Sequence, residues 1–316
     1  MATNIADQRT TDHTLADLLA PHQLRVGINP LSWTNDVIEE FGNDTPVETF
    51  LREAAECGYQ GVEMGRKFPR TASVLKPLLD DYGLALASGW YSGFLAERDV
   101  ETELEEVAAH ADLLASCGAK VMVYGECGLM PGSDPLNEPL SKTPAIERAG
   151  WQAYGERMTR FGEALKARFG LSLAYHAHLM MVVESGEEID ALMANSGEAV
   201  GLLFDAGHVV AGGGDLKTLL ARHGSRINHL HFKDIRRDVM AKVRRDDISF
   251  NQGVRDGMFT VPGDGYLDFS PLVEFATESD YQGWLIVEAE QDPAKAPPKE
   301  MATIAHRHMT QLFAHR

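Results

Sequence analysis

The strongest constraint on the fold is a rhythm. About eight short apolar runs recur along the 316 residues: Leu24–Asn29, Gly61–Met64, Leu84–Ser88, Ala119–Tyr124, Leu171–His176, Val200–Asp205, Ile227–Phe232 and Trp284–Glu288. Helical patterns such as Asp99–Ser116 and Ala149–Phe169 separate most of them. Short buried strands alternating with helices imply parallel βα units, hence a closed barrel or a doubly wound sheet. No Gly-x-Gly-x-x-Gly follows the first run, as a dinucleotide-binding sheet would require. The expected class is therefore α/β, a (β/α)8 TIM barrel in a single domain.

A barrel core takes about 250 residues. The surplus is assigned to a polar N-terminal arm (1–23), loops at 125–146 and 234–265, and a tail after Asp292, with the catalytic domain spanning 24–316. Thr45, Pro46 and Glu48 read as a capping box that opens a helix ending at Gly58. Tyr59-Gln60-Gly61 and Tyr281-Gln282-Gly283 each lead into a run carrying Glu, a faint echo that suits repeated βα units.

Charge removes one class of partner. Asp and Glu total 47 against 29 Lys and Arg, a formal net charge of −18, whereas a duplex binder needs a basic stripe. The one basic cluster, Arg236, Arg237, Lys242, Arg244 and Arg245, is interrupted by Asp234, Asp238, Asp246 and Asp247 and reads as a solvated loop. No run reaches the ~20 apolar residues of a membrane span. Met1–Asp17 lacks a signal peptide's apolar stretch, and Cys57, Cys117 and Cys127 form no C-x-x-C, so reduced thiols in the cytoplasm are expected.

Chemistry in such a barrel sits at the C-terminal ends of the strands. Six of the twelve histidines fall between positions 176 and 231. Strand period 2 places His176 with His178, His229 with His231, and Glu288 with Glu290. Asp205, His231 and Glu288, with either His176 or Glu184 as a fourth, are expected to bind a divalent transition metal, since mixed imidazole and carboxylate ligands suit Mn²⁺, Co²⁺, Fe²⁺ or Zn²⁺. His208 would act beside the metal, and Lys233 would stabilise an oxyanion. Trp33, Trp90 and Tyr91 suit the apolar face of a sugar or cyclitol ring.

Six segments resemble the inosose dehydratases of myo-inositol catabolism, within the xylose-isomerase-like barrels. They are Gly27–Trp33, Ser88–Gly93, Val121–Glu126, His231–Asp234, Phe259–Gly265 and Val287–Pro293, in a likeness covering roughly 24–310. The resemblance implies dehydration of 2-keto-myo-inositol, with Mn²⁺ or Co²⁺ as cofactor. Glutathione is attached to the family, on resemblance alone. His178, His208 or Glu184 would move protons, with Lys233 beside the enolate. Asn29, Trp33, Glu63, Trp90, Tyr91, Tyr124 and Glu126 would bind the cyclitol. A ketose isomerase or epimerase on the same barrel is the alternative, and a homo-oligomer stays open. The chain departs from the family pattern at Leu179-Met180-Met181, where a Met-Gly-Thr-like turn is usual, and at Ala206, where Thr is common.

Overall fold

The first and last barrel strands lie side by side. β1 (Leu24–Ile28) pairs in parallel with β8 (Gly283–Val287), from Leu24 opposite Gly283 to Ile28 opposite Val287. Between them run β2 (Gly61–Met64), β3 (Ala85–Gly93), β4 (Val121–Glu126), β5 (Ser172–His176), β6 (Val200–Asp205) and β7 (Ile227–Phe232). These strands close into an eight-stranded barrel in a computed structural model that describes residues 13–315. The expected TIM barrel is thus the observed fold. The Tyr-Gln-Gly echo leads into β2 and β8, the two neighbours of β1. A Cβ on Gly61 would lie 2.3 Å from the Trp284 ring, so the glycine makes room for that indole.

Several local expectations shift. The helix after β1 is Val47–Glu56 with Pro46 as N-cap, and no side-chain cap bond forms, so the Thr45 capping box is not made. The N-terminal arm is only partly an arm. Its first 12 residues lie outside the described region, but Leu15–Leu19 form a helix capped by Thr14 and Asp17, with Leu15 and Leu19 fully buried. The tail is a helix as well, Pro298–Ala314, burying Met301, Ala305, Met309 and Phe313.

The 234–265 connection is built, not loose. It carries a short antiparallel pair, Asp234–Ile235 with Phe259–Thr260, and the helices Arg237–Arg245 and Phe250–Asp256. Four of the five cluster residues are ion-paired in place, Arg236 with Asp264, Lys242 with Asp256, Arg244 with Glu184 and Arg245 with Asp246, and Arg237 lies over the Tyr266 ring. Asp234 accepts backbone N–H bonds from Ile235, Tyr266 and Leu267, which anchors the end of the Pro-Gly-Asp-Gly turn over β7. The three cysteines are free. No described helix is long and apolar enough to cross a membrane.

Candidate active site

Strand ends 5 to 8 converge on one buried cluster. The Asp205 carboxylate is fixed first: Oδ1 accepts the His208 N–H at 2.8 Å, capping the helix Ala206–Ala211. Its Oδ2 then faces His176 Nε2 and His231 Nδ1, each 3.4 Å away. Glu288 joins through Oε2, 3.0 Å from His231 Nδ1. Just past β8, the backbone carbonyl of Ala289 accepts the Ser32 hydroxyl, which holds Glu288 and Glu290 in place.

This donor set fits a divalent cation. His231 Nδ1 is buried and makes no directed hydrogen bond, although two carboxylate oxygens lie within 3.4 Å. Four buried carboxylates, Glu63, Asp205, Glu288 and Glu290, share the space with the Lys233 ammonium and the His231 ring. Against burial, Glu63, Glu288 and Asp205 raise the pKa of that ring well above its ordinary value, and negative charge is still in excess. Such an imbalance of negative charge is costly in a low-dielectric interior unless a cation offsets it. Burial pushes His176 down to about 4, so its ring is neutral with a lone pair to offer. His176, Asp205, His231 and Glu288 are thus the four residues that would hold the ion.

Glu63 supports this set from behind. Its carboxylate accepts from Asn29 Nδ2 at 2.7 Å, His229 Nε2 at 2.8 Å, His231 Nε2 at 3.1 Å, and the Ser88 hydroxyl. Burial would raise its pKa, but His231 and His229 hold it well below the usual carboxylate range. With its oxygens taken by protein donors, Glu63 orients His231 and has no capacity left for a substrate hydroxyl.

Above the cluster opens a cavity of about 560 Å³, lined among others by Asn29, Trp90, His178, Met181, Asn251 and Glu288. His178 Nδ1 lies 2.6 Å from the Leu179 carbonyl, which can only accept, so Nδ1 carries the hydrogen. In the neutral ring this leaves the Nε2 lone pair in the cavity wall, with Glu290 Oε1 3.9 Å away. Trp90 sets its edge against both His176 and His178.

Other expected residues lie elsewhere. Lys233 and His208 are fully buried and do not line the cavity; the ammonium is enclosed by Glu288 Oε1 at 2.7 Å, Glu290 Oε2 at 2.8 Å and His208 Nε2 at 2.9 Å. Glu184 is bound by Thr143 Oγ1, the Met180 N–H and Arg244, whereas His176 groups with Asp205 and His231 closely enough to hold an ion. Of the two candidates for the fourth ligand, the geometry favours His176.

Strand parity removes three proposed substrate contacts. Trp90 and Val123 face the cavity, so their neighbours Tyr91 and Tyr124 point outward. Tyr91 stacks on His110, and Glu126, two residues beyond Tyr124, accepts the Tyr124 and Tyr154 hydroxyls. Trp33 packs edge-on to Phe50 and donates Nε1–H to Glu53.

Two functional candidates were missed. Glu290 shares a strand face with Glu288, a signal present in the spacing. Asn251, buried with an unpartnered Oδ1, arrives on the helix Phe250–Asp256 and carries no local signal.

A sequence profile described as xylose isomerase-like TIM barrel matches residues 51–312. Curated relatives extend the match to 92% of the chain: 46% identity to the rhizopine catabolism protein MocC of Rhizobium meliloti (89% of that protein), and 39% to an inosose dehydratase of Geobacillus thermodenitrificans (97% of that protein).

The chain belongs to the xylose isomerase-like TIM barrel family, alongside the inosose dehydratases.

Solved structures support the fold. The IolI protein with a bound zinc atom superposes with a TM-score of 0.67 at 15% identity, covering 92% of this chain and 98% of its own. D-allulose 3-epimerase from Methylomonas sp. gives 0.64 at 16%, with the same coverages. Both share the barrel with this xylose isomerase-like protein at sequence identities too low to carry its chemistry.

Proposed function

We propose that the protein is a metal-dependent hydro-lyase that removes water from 2-keto-myo-inositol (scyllo-inosose), giving a trihydroxycyclohexane-1,2-dione in inositol catabolism. The carrying observation is that His178, whose neutral ring leaves Nε2 free, lines the same cavity as His176, His231 and Glu288 of the ligand set. The inosose dehydratase names of the relatives at 38–39% identity support the substrate. Relatives in the isomerase and epimerase class match at the level of fold alone, which does not favour that alternative.

A bound cation supplies Lewis acidity to the substrate ketone and so acidifies the adjacent C–H. His178 Nε2 takes that proton, and Glu290, 3.9 Å away, offsets the imidazolium charge that results. Loss of the β-hydroxyl with one proton completes the removal of one water, and the proton gained by His178 is available to the departing oxygen. Trp90 offers an apolar edge to the ring, while Asn251 offers a carbonyl to a hydroxyl. Lys233 and His208 act through Glu288 and Glu290 and do not touch the substrate.

The mixed N/O ligand set suits Mn²⁺, Co²⁺, Fe²⁺ or Zn²⁺, the resemblance to the inosose dehydratases narrows the choice to Mn²⁺ or Co²⁺, and the free thiols support a cytoplasmic location. The test is to strip the protein with chelator, restore Mn²⁺ or Co²⁺, and follow diketone absorbance from scyllo-inosose. Metal-dependent water loss, reduced 10²–10⁴-fold in His178→Asn, is the expected result. Interconversion of keto-polyols without water loss would overturn the reading.

A further inference from the structure

We propose that Lys233 is a built-in cation: its ammonium fills the second of two adjacent cation positions, so the chain takes one divalent ion where two could otherwise sit. The inference rests on the metal site described above and is independent of the substrate. Two of the groups touching Nζ are carboxylate oxygens that would ligate a metal, Glu288 Oε1 at 2.7 Å and Glu290 Oε2 at 2.8 Å. Independently of the lysine, His178, His208 and Glu290 present ligand atoms close enough together to hold an ion.

The contact is that of a point charge. Glu290 Oε2 lies 2.8 Å from Nζ, yet it is buried without a directed hydrogen bond. Attraction at this distance without hydrogen-bond direction is what a carboxylate offers a spherical cation, and the compact ammonium imitates one. Glu288 is divided between the two positions, with Oε1 on Lys233 and Oε2 beside His231. That is how a bridging carboxylate serves two metals ~3.5–4 Å apart.

The backbone makes room for the lysine stem as well. A Cβ on Gly207 would lie 2.6 Å from Lys233 Cγ, so glycine in the turn after Asp205 lets the side chain pass. An ammonium cannot activate a water as a second metal does, which steers the site away from two-metal hydrolytic chemistry.

Metal content of the whole chain, measured after Mn²⁺ loading and desalting, tests this. One equivalent is expected in the wild type, two in Lys233→Ala, and one again in the double variant Lys233→Ala/Glu290→Gln. Methylammonium should displace the second equivalent from Lys233→Ala. One equivalent in a Lys233→Ala protein with wild-type circular dichroism would sink the proposal, as would two in the wild type. None in the wild type would sink the metal site itself and this inference with it. If Lys233→Ala is unfolded without metal, Mn²⁺ should restore its circular dichroism; no recovery up to millimolar Mn²⁺ counts against the proposal.

Discussion

Glu63 grips His231 by the ring nitrogen that points away from the metal ligands. Its Oε2 lies 3.1 Å from Nε2, while Nδ1 of the same ring faces Glu288 Oε2 at 3.0 Å. A carboxylate behind a ligating imidazole fixes the tautomer and raises ligand basicity. Glu63→Gln should therefore weaken Mn²⁺ binding roughly 10–100-fold with the fold retained. Isothermal titration of the chelator-stripped variant reads this, and unchanged affinity would remove Glu63 from the site.

The carboxylates of the cluster make the stripped protein less stable than the loaded one. At a free metal concentration of 100 times Kd, binding adds about 2.7 kcal/mol, or roughly 5 °C in Tm for a chain of this length. Asp205→Asn should abolish the rise, since Oδ2 faces both His176 and His231. Thermal melts with and without Mn²⁺ decide it.

Asn251 should matter to binding more than to chemistry. Its Oδ1 is buried and unpartnered in the cavity wall, ready to accept one substrate hydroxyl. A neutral hydrogen bond contributes ~0.5–1.5 kcal/mol, so Asn251→Ala should lower kcat/KM about 3–10-fold, chiefly through KM. A deoxy substrate lacking the contacted hydroxyl should show no such penalty, and an equal loss on every ketone would contradict the assignment.

Glu126 gives the fold a pH dependence of its own. Burial pushes its carboxyl up to about 7, against the lowering effect of bonds from Gly128, Tyr124, Tyr154 and Ala96. The folded state thus holds a proton that the unfolded chain releases near 4.5. This contribution is complete below pH ~4.5, declines as pH rises toward 7, and is flat above, with a total of about 3 kcal/mol. Glu126→Gln stays neutral, so its stability relative to wild type should improve between pH 5 and pH 8. Urea unfolding at those two pH values is the measurement.

Much of the site was legible because strand parity is local. His229 and His231 alternate along β7 with Lys233 just past its end, and Glu288 with Glu290 follows β8, so their shared faces need no knowledge of the rest of the chain. The same rule forbids Trp90 and Tyr91 from facing one cavity. Which of the two faces inward depends on the phase of β3 in the closed barrel, and the pairing Tyr91–Tyr124 beside it sets that phase. Glu184 and Arg244 lie 60 positions apart, so the ion pair that engages this candidate ligand leaves no trace in either neighbourhood.

The sequence alone sufficed for the barrel, the family, and the strand ends that meet in the candidate cation site. Apolar periodicity and side-chain alternation are short-range properties, and eight βα units have few ways to pack. Tertiary structure decided that Lys233 is enclosed by Glu288, Glu290 and His208, that Glu63 serves His231, and that Asn251 reaches the cavity. Those assignments depend on which donor meets which acceptor across tens of residues, and a buried polar atom takes its role from the partner that the closed fold brings to it.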